Sequence, residues 1–216
     1  MPKMRLVLLI AGFLCLAAVP ARAGIVDAVG EGWCRDSVSG SDYCNNTDTS
    51  AIWNTFAGNG SGDGVYRNWF AIDIPAIGLI SNATLWIWND GQDSTGDASR
   101  TYTLYNPAAI DFGSLGTGSP LGTVNVGDAD TGLSHYVGIP LNATALSLLN
   151  AAQGGQFLFG GAVDIVNPAV QVEIFGWTEG IPLARLEYNA VPEPGTLSML
   201  LAGLAVLGMA IRRKRA

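Results

Sequence analysis

Lysine and histidine are scarce in this sequence. It has one histidine, His135, and its two lysines, Lys3 and Lys214, lie close to the two ends. The long middle of the chain therefore has no lysine to act as a nucleophile or a base. A catalytic dyad or triad would have to use His135, which lies in a strand-like run with no nucleophile motif beside it. We therefore expect no histidine- or lysine-dependent enzyme.

Residues 1–23 have the features of a secretory signal peptide. Two basic residues precede an apolar run over 6–18, and Ala21-Arg22-Ala23 supplies the small-x-small pattern that signal peptidase requires. We expect cleavage between Ala23 and Gly24. The alternative, a permanent N-terminal anchor, is disfavoured because the apolar run is short and a good cleavage site follows it.

Positive charge is also rare in residues 24–190, the domain that remains when both ends are set aside. The domain holds four arginines against seventeen acidic residues, a formal charge of −13. Nothing in it would neutralise a row of phosphates, so nucleic acid is not expected as a partner. Its length suffices for one ordinary domain with a core.

Cysteine is limited to one pair in this domain, Cys34 and Cys44, because Cys15 would leave with the signal peptide. A single pair in an exported chain predicts one disulfide that closes a short loop. Two cysteines with one distant histidine make a poor zinc site.

Alternating apolar residues predict an all-β domain. The runs 66–74 and 83–88 place apolar side chains at every second position. Further strands are predicted over 101–105, 134–141, 156–162, 170–177 and 183–188. One helix is predicted over 143–152, with Asn142 as its N-cap and Gly154 ending it in the left-handed conformation. The pattern favours an antiparallel β-sandwich of jelly-roll type with one short inserted helix.

Four short segments resemble exported bacterial β-sandwich modules. They are RNWFAIDIP, SNATLWIW, YTLYNP and LNATALSLLNAAQGGQFLFGGA, and they lie within residues 67–162. The likeness is to a widespread group of surface proteins, and it implies the same sandwich architecture. It implies no particular activity, because sandwiches of this kind carry many functions.

Trp86 and Trp88 are candidates for ligand contact. They share the strand face opposite to Ala83, Leu85 and Ile87, which would lie in the core. Two aromatic rings on an exposed sheet face can hold sugar rings by apolar stacking that leaves the hydroxyls free. The alternative is that both rings pack beneath a loop or against the helix.

Two acidic loops could hold calcium. NDGQDSTGD over 89–97 and GDAD over 127–130 offer oxygen ligands on flexible turns. The first loop lacks the closing glutamate of the helix–loop–helix calcium motif, and Asp and Gly also serve turns without any metal. No other cofactor is expected.

The tail, residues 191–216, has three parts in order. Pro192-Glu193-Pro194 comes first, followed by the uncharged run 195–211 and then by Arg212, Arg213, Lys214 and Arg215. As a helix the uncharged run would rise about 26 Å, close to a ~30 Å hydrocarbon core. The basic residues would act as a stop at the cytoplasmic surface, so the domain would lie outside. The sequence thus predicts a C-terminal transmembrane helix.

This order closely resembles the PEP-CTERM sorting signal of Gram-negative bacteria. That signal is recognised by exosortase, a membrane protease-transpeptidase of organisms that make extracellular polysaccharide. The resemblance implies exosortase as a partner, a precursor anchored in the inner membrane, and a processed protein at the cell surface or in the extracellular matrix. A plain single-pass anchor is the alternative.

The sequence as a whole predicts a non-enzymatic surface or matrix protein with a structural or polysaccharide-associated role. The alternative is a secreted polysaccharide hydrolase that uses paired carboxylates. A cleft with two acids about 5–10 Å apart would favour that alternative.

Overall fold

A computed structural model describes residues 22–36, 42–46, 55–60, 64–90, 99–127, 134–165, 171–176, 182–191 and 203–204 of the chain. Most of the predicted signal peptide, the Pro-Glu-Pro motif at 192–194, nearly all of the predicted helix 195–211 and the basic stop at 212–215 lie outside these residues. Within the described ranges, no helix is long and apolar enough to cross a membrane.

The described chain is mostly β-strand. Its elements are β1 Arg22–Asp27, β2 Gly30–Arg35, β3 Tyr43–Asn46, β4 Ala57–Gly60, β5 Gly64–Asp73, β6 Leu79–Asn89, β7 Arg100–Tyr105, α1 Phe112–Leu115, β8 Pro120–Val126, β9 His135–Pro140, α2 Ala143–Ala151, β10 Gln156–Val163, β11 Val172–Ile174 and β12 Ala184–Val191. The prediction of an all-β domain is therefore confirmed.

The strands form two antiparallel sheets. The smaller sheet has the order β1-β12-β6-β9, and the larger one has the order β11-β4-β5-β10-β7-β8, with β2 pairing β5 and β3 pairing β2. One apolar core joins the inner faces of both sheets, with Phe70 and Phe159 from the larger sheet and Leu85 and Ile87 from the smaller one. Because these side chains alternate with outward-facing ones, the period of two places them in the core.

The opposite face of β5 is buried as well. Trp69 and Ala71 point away from the main core and form a second cluster with Cys34 and Leu115, the last residue of α1. Sequence alternation predicted one core face for this strand, but it did not predict α1, which covers the other face. Strand β5 is therefore covered on both of its faces.

Helix α2 confirms the one helix that was predicted. Its N-cap is Asn142, whose side-chain oxygen accepts a hydrogen bond from the Ala145 amide. The C-cap is Ala152, whose amide donates to the Leu148 and Leu149 carbonyls. Gly154, predicted to end the helix, has the expected left-handed φ of +78° but lies two residues beyond the cap, where its amide donates to the Ile74 carbonyl. The Asn150 side chain accepts from the Ile80 amide and donates to the Ile80 carbonyl, so the helix is fastened to the start of β6.

Every predicted strand has a counterpart in the structure, but β1, β2, β3, β4 and β8 were not predicted. Strand β4 reads AGNG and has no β-branched or aromatic residue. It is a strand because it pairs with β5 on one side and with β11 on the other. Tertiary pairing therefore overrides a low local preference.

Candidate functional site

The outer face of the smaller sheet carries a group of aromatic and charged side chains from three neighbouring strands. We call this group the outer aromatic face: Trp86 and Trp88 of β6, Tyr136 of β9, and Arg185 and Glu187 of β12. Their inward-facing neighbours Leu85, Ile87, Val137 and Leu186 are buried, which sends these five to the other side.

Trp86 is held in place by both neighbouring strands. In the sheet, Trp86 lies opposite Arg185 of β12 on one side and opposite Gly138 of β9 on the other. The benzene part of the indole lies over Gly138, where an added Cβ would come within 2.7 Å of a ring atom. The indole N–H donates to Glu187 Oε2 at 2.8 Å. The absence of a side chain at Gly138 therefore makes room for the ring, and Glu187 fixes its direction.

Trp88 packs against Tyr136, its direct partner across the ladder. The ring centroids are 5.1 Å apart with a steep interplanar angle of 72°, the edge-to-face geometry that aromatic pairs favour. Trp88 is half-buried. Among the described residues, no acceptor lies within hydrogen-bonding distance of its indole N–H. That nitrogen is itself buried, so it is not accessible to a ligand on the open face of the sheet.

Tyr136 and Arg185 form the charged edge of the face. The Arg185 guanidinium carbon lies 4.0 Å from the centre of the Tyr136 ring, a cation–π contact. The Tyr136 hydroxyl donates to the Pro182 carbonyl at 2.7 Å. Desolvation raises the pKa of the Tyr136 phenol, while Arg185 acts in the opposite direction. The phenol thus stays neutral and keeps its hydrogen bond at neutral pH.

The outer aromatic face combines apolar rings with hydrogen-bonding groups, which is the chemistry that carbohydrate recognition needs. Sequence reasoning identified Trp86 and Trp88 but missed Tyr136, Arg185 and Glu187. Their outward direction follows from the alternation in strands 134–141 and 183–188, which were predicted. The identity of the strands that lie beside β6, however, is determined by the tertiary structure.

The Arg67-Asn68-Trp69 segment of β5 makes contacts that stabilise the fold. The Asn68 side chain, fully buried, accepts from the Tyr102 hydroxyl at 2.6 Å and donates to the Thr55 carbonyl at 2.9 Å. On the other face, Arg67 lies over the Phe112 ring and donates to the Phe112 carbonyl at 2.6 Å. The segment thus joins β5 to the core on one side and to α1 on the other.

The predicted disulfide is present. Cys34 of β2 and Cys44 of β3 lie directly opposite one another in the ladder and are bonded, with a sequence separation of 10. The bond joins two strands at the border of the larger sheet.

The predicted calcium loops fall largely on residues outside the described ranges, since only Asn89, Asp90 and Gly127 of them are described. Within the described ranges, no group of three histidine, cysteine, aspartate or glutamate residues is placed to hold a metal ion. His135 lies opposite Asn89 at the start of β9.

The tail leaves the domain from a central strand. Strand β12 ends at Val191, directly before Pro192, and it pairs with β1 on one side and β6 on the other. The predicted cleavage residues Ala23 and Gly24 lie in β1, opposite Asn189 and Tyr188 of β12.

Comparison with protein families identifies this tail. The family described as the PEP-CTERM protein-sorting motif matches residues 190–215. The chain therefore carries a PEP-CTERM sorting motif, which begins in the last two residues of β12 and runs through the basic end. The motif supports an exported precursor that is processed by exosortase in a Gram-negative bacterium. Comparison with curated proteins finds no match to the chain.

Proposed function

We propose that this protein is a non-enzymatic component of the cell surface or extracellular matrix, which holds polysaccharide on its outer aromatic face. Its precursor loses residues 1–23 to signal peptidase, is anchored in the inner membrane by a helix over 195–211, and is then cut by exosortase near 192–194. The domain between these segments is a sandwich of jelly-roll type. The PEP-CTERM motif supports the export and processing part of this proposal.

The single observation that supports polysaccharide binding is the fixed position of Trp86. An indole that is free to rotate loses side-chain entropy when it binds a ligand, which costs about 0.5–1.5 kcal/mol per side chain. Gly138 and Glu187 have already limited this indole to one orientation. A half-buried, preorganised ring beside a second ring suits weak, repeated contacts along a sugar polymer.

Carboxylate-dependent hydrolysis of polysaccharide is the second candidate. It would need a general acid and a partner carboxylate about 5–10 Å apart in one cleft. Glu187, the carboxylate of the outer aromatic face, already accepts the Trp86 indole N–H. A hydrolase would release reducing sugar from the polymer that it binds, whereas a binding protein would not.

A retention experiment tests the proposal. The full chain is first screened on a glycan array, and the polysaccharide with the strongest signal is then cast into a native gel. Changing Trp86→Ala together with Trp88→Ala should abolish the retardation of the protein by that polysaccharide. Trp33→Ala is the matched control, because Trp33 is also half-buried and packs edge-on against Tyr66, but in the larger sheet. Equal retardation of the double variant and the wild type would contradict the proposal.

A further inference from the structure

Both chain segments that are expected to enter the membrane leave the domain at the same place. Strands β1 and β12 pair in antiparallel register, with Ala23 opposite Asn189, so the predicted signal peptide joins the domain beside the residue where the tail begins. We call this part of the domain the exit end. It consists of the end of β12, the turn 75–78 with the start of β6, and α2, which Asn150 fastens to Ile80.

The exit end exposes apolar side chains next to the tail. Leu79 of β6 and Val191 of β12 are direct partners across the ladder. Leu79 is 56% exposed and Val191 is 41% exposed. Val191 is followed at once by Pro192, and three residues separate it from the uncharged run 195–211. The four steps from Val191 to the first residue of that run span at most about 14 Å, so the two side chains stay close to wherever that run is inserted.

Charged residues are scarce in the segments that form the exit end. Residues 74–89, which include β6, and residues 136–163, which include α2, contain no Asp, Glu, Lys or Arg, in a domain with seventeen acids. The acid closest in sequence to this turn is Asp73, which accepts a hydrogen bond from the Gln156 side chain.

Glu187 lies near the middle of the smaller sheet, opposite Thr84 and four residues or roughly 13 Å from Val191, and two other acidic residues lie toward the other end of the sheet. Asp27 lies opposite Arg185, and Asp90 follows the last residue of β6. The ten steps from Leu79 to Asn89 measure roughly 33 Å at about 3.3 Å per residue. That length is several times the ~8–10 Å over which salt screens charges. These carboxylates therefore add little repulsion between the exit end and anionic lipid headgroups.

We propose that the exit end is a membrane-facing surface, on which the precursor rests against the lipid headgroups while it awaits processing. Leu79 and Val191 reach the boundary between headgroups and acyl chains, and the acidic end of the smaller sheet points away. This inference depends on the proposed anchoring of the precursor by 195–211. It adds an orientation of the domain, which would present the 192–194 segment at a constant height to a protease in the same membrane.

A fluorescence-quenching experiment on the full chain tests this orientation. The chain carries Cys15→Ala and is reconstituted in vesicles of phosphatidylethanolamine and phosphatidylglycerol that contain nitroxide-headgroup lipids. A fluorophore is attached at Leu79→Cys or, as the matched control, at Val29→Cys. Val29 is 48% exposed and lies at the other end of the smaller sheet, next to Ala28, whose amide donates to the Ala184 carbonyl.

Quenching should be about threefold stronger at position 79 than at position 29, because the two sites are ~26 Å apart along the strands. Vesicle flotation is measured on the same samples. If the chain floats and both sites are quenched equally, the membrane-facing surface is wrong, while attachment of the chain to the membrane stands. If the chain fails to float with the vesicles, both the anchoring and the orientation are wrong.

Discussion

Gly138 offers a way to move the Trp86 ring without removing it. An alanine Cβ at this position would lie 2.7, 2.9 and 3.0 Å from three ring atoms, whereas ordinary contact is 3.4–4 Å. The indole must therefore retreat by about 0.7 Å to restore normal contact. Its N–H lies 2.8 Å from Oε2 of Glu187, which belongs to β12 on the opposite side of β6 from Gly138. The displaced ring therefore crowds this carboxylate and distorts the hydrogen bond from its usual geometry.

Two opposing effects decide the stability of Gly138→Ala. Loss of one exposed hydrogen bond costs about 0.5–1.5 kcal/mol, while replacing glycine inside a strand gains about 0.5–1 kcal/mol. The net change in the free energy of unfolding is thus within about 1 kcal/mol, or ~2–4 °C in melting temperature for a domain of this size. Polysaccharide retention, in contrast, should fall about tenfold, which corresponds to ~1.4 kcal/mol of binding free energy.

Native gels with the polysaccharide and a thermal melt measure both quantities on the same sample. Gly127→Ala is the matched control, because the nearest atom to its added Cβ is 3.8 Å away, so it should change neither retention nor melting. If Gly138→Ala binds as well as the wild type, the fixed position of Trp86 is not what binds the polymer.

Four further predictions concern the core, the loops and the tail. Asn68→Ala should destabilise the domain by about 3 kcal/mol in chemical denaturation, because the buried Tyr102 hydroxyl loses its acceptor; a loss below ~1 kcal/mol would contradict this role. Burial raises the pKa of the Tyr102 phenol, so the folded state holds a proton that the unfolded state releases above pH ~10. The contribution of this group to the free energy of unfolding should therefore be fully present below that pH and be lost as the pH rises above it. The stability of the Tyr102→Phe variant should decrease less over the same pH range. Labelling of the unfolded, unreduced mature protein should find no free thiol at Cys34 or Cys44, whereas two labelled cysteines would exclude the bond. Mass spectrometry should find the tail removed near 192–194 only in cells that have exosortase, and an intact tail on extracellular protein would refute processing.

Short-range features of this protein could be read from the sequence because each depends on residues close together in the chain. Asn142 marks the start of α2 by local capping, and Gly154 marks the turn that follows the helix by its left-handed φ. The period of two in β6 assigns Trp86 to the outer side whatever lies next to that strand. The sorting motif is likewise a continuous run of residues, 190–215, that needs no folded partner to be recognised.

Tertiary structure decided which residues surround those features. Alternation assigns a face to each strand but carries no information about its neighbour in the sheet, so neither Gly138 nor Glu187 could be placed beside Trp86 in advance. Strand β4 exists only through its pairing, and the second face of β5 is buried only because α1 folds over it. The shared exit of both ends of the domain also follows from the pairing of β1 with β12, whose residues are separated by almost the whole domain. Contacts of such long range are set by the global packing of the core, which local sequence patterns do not encode.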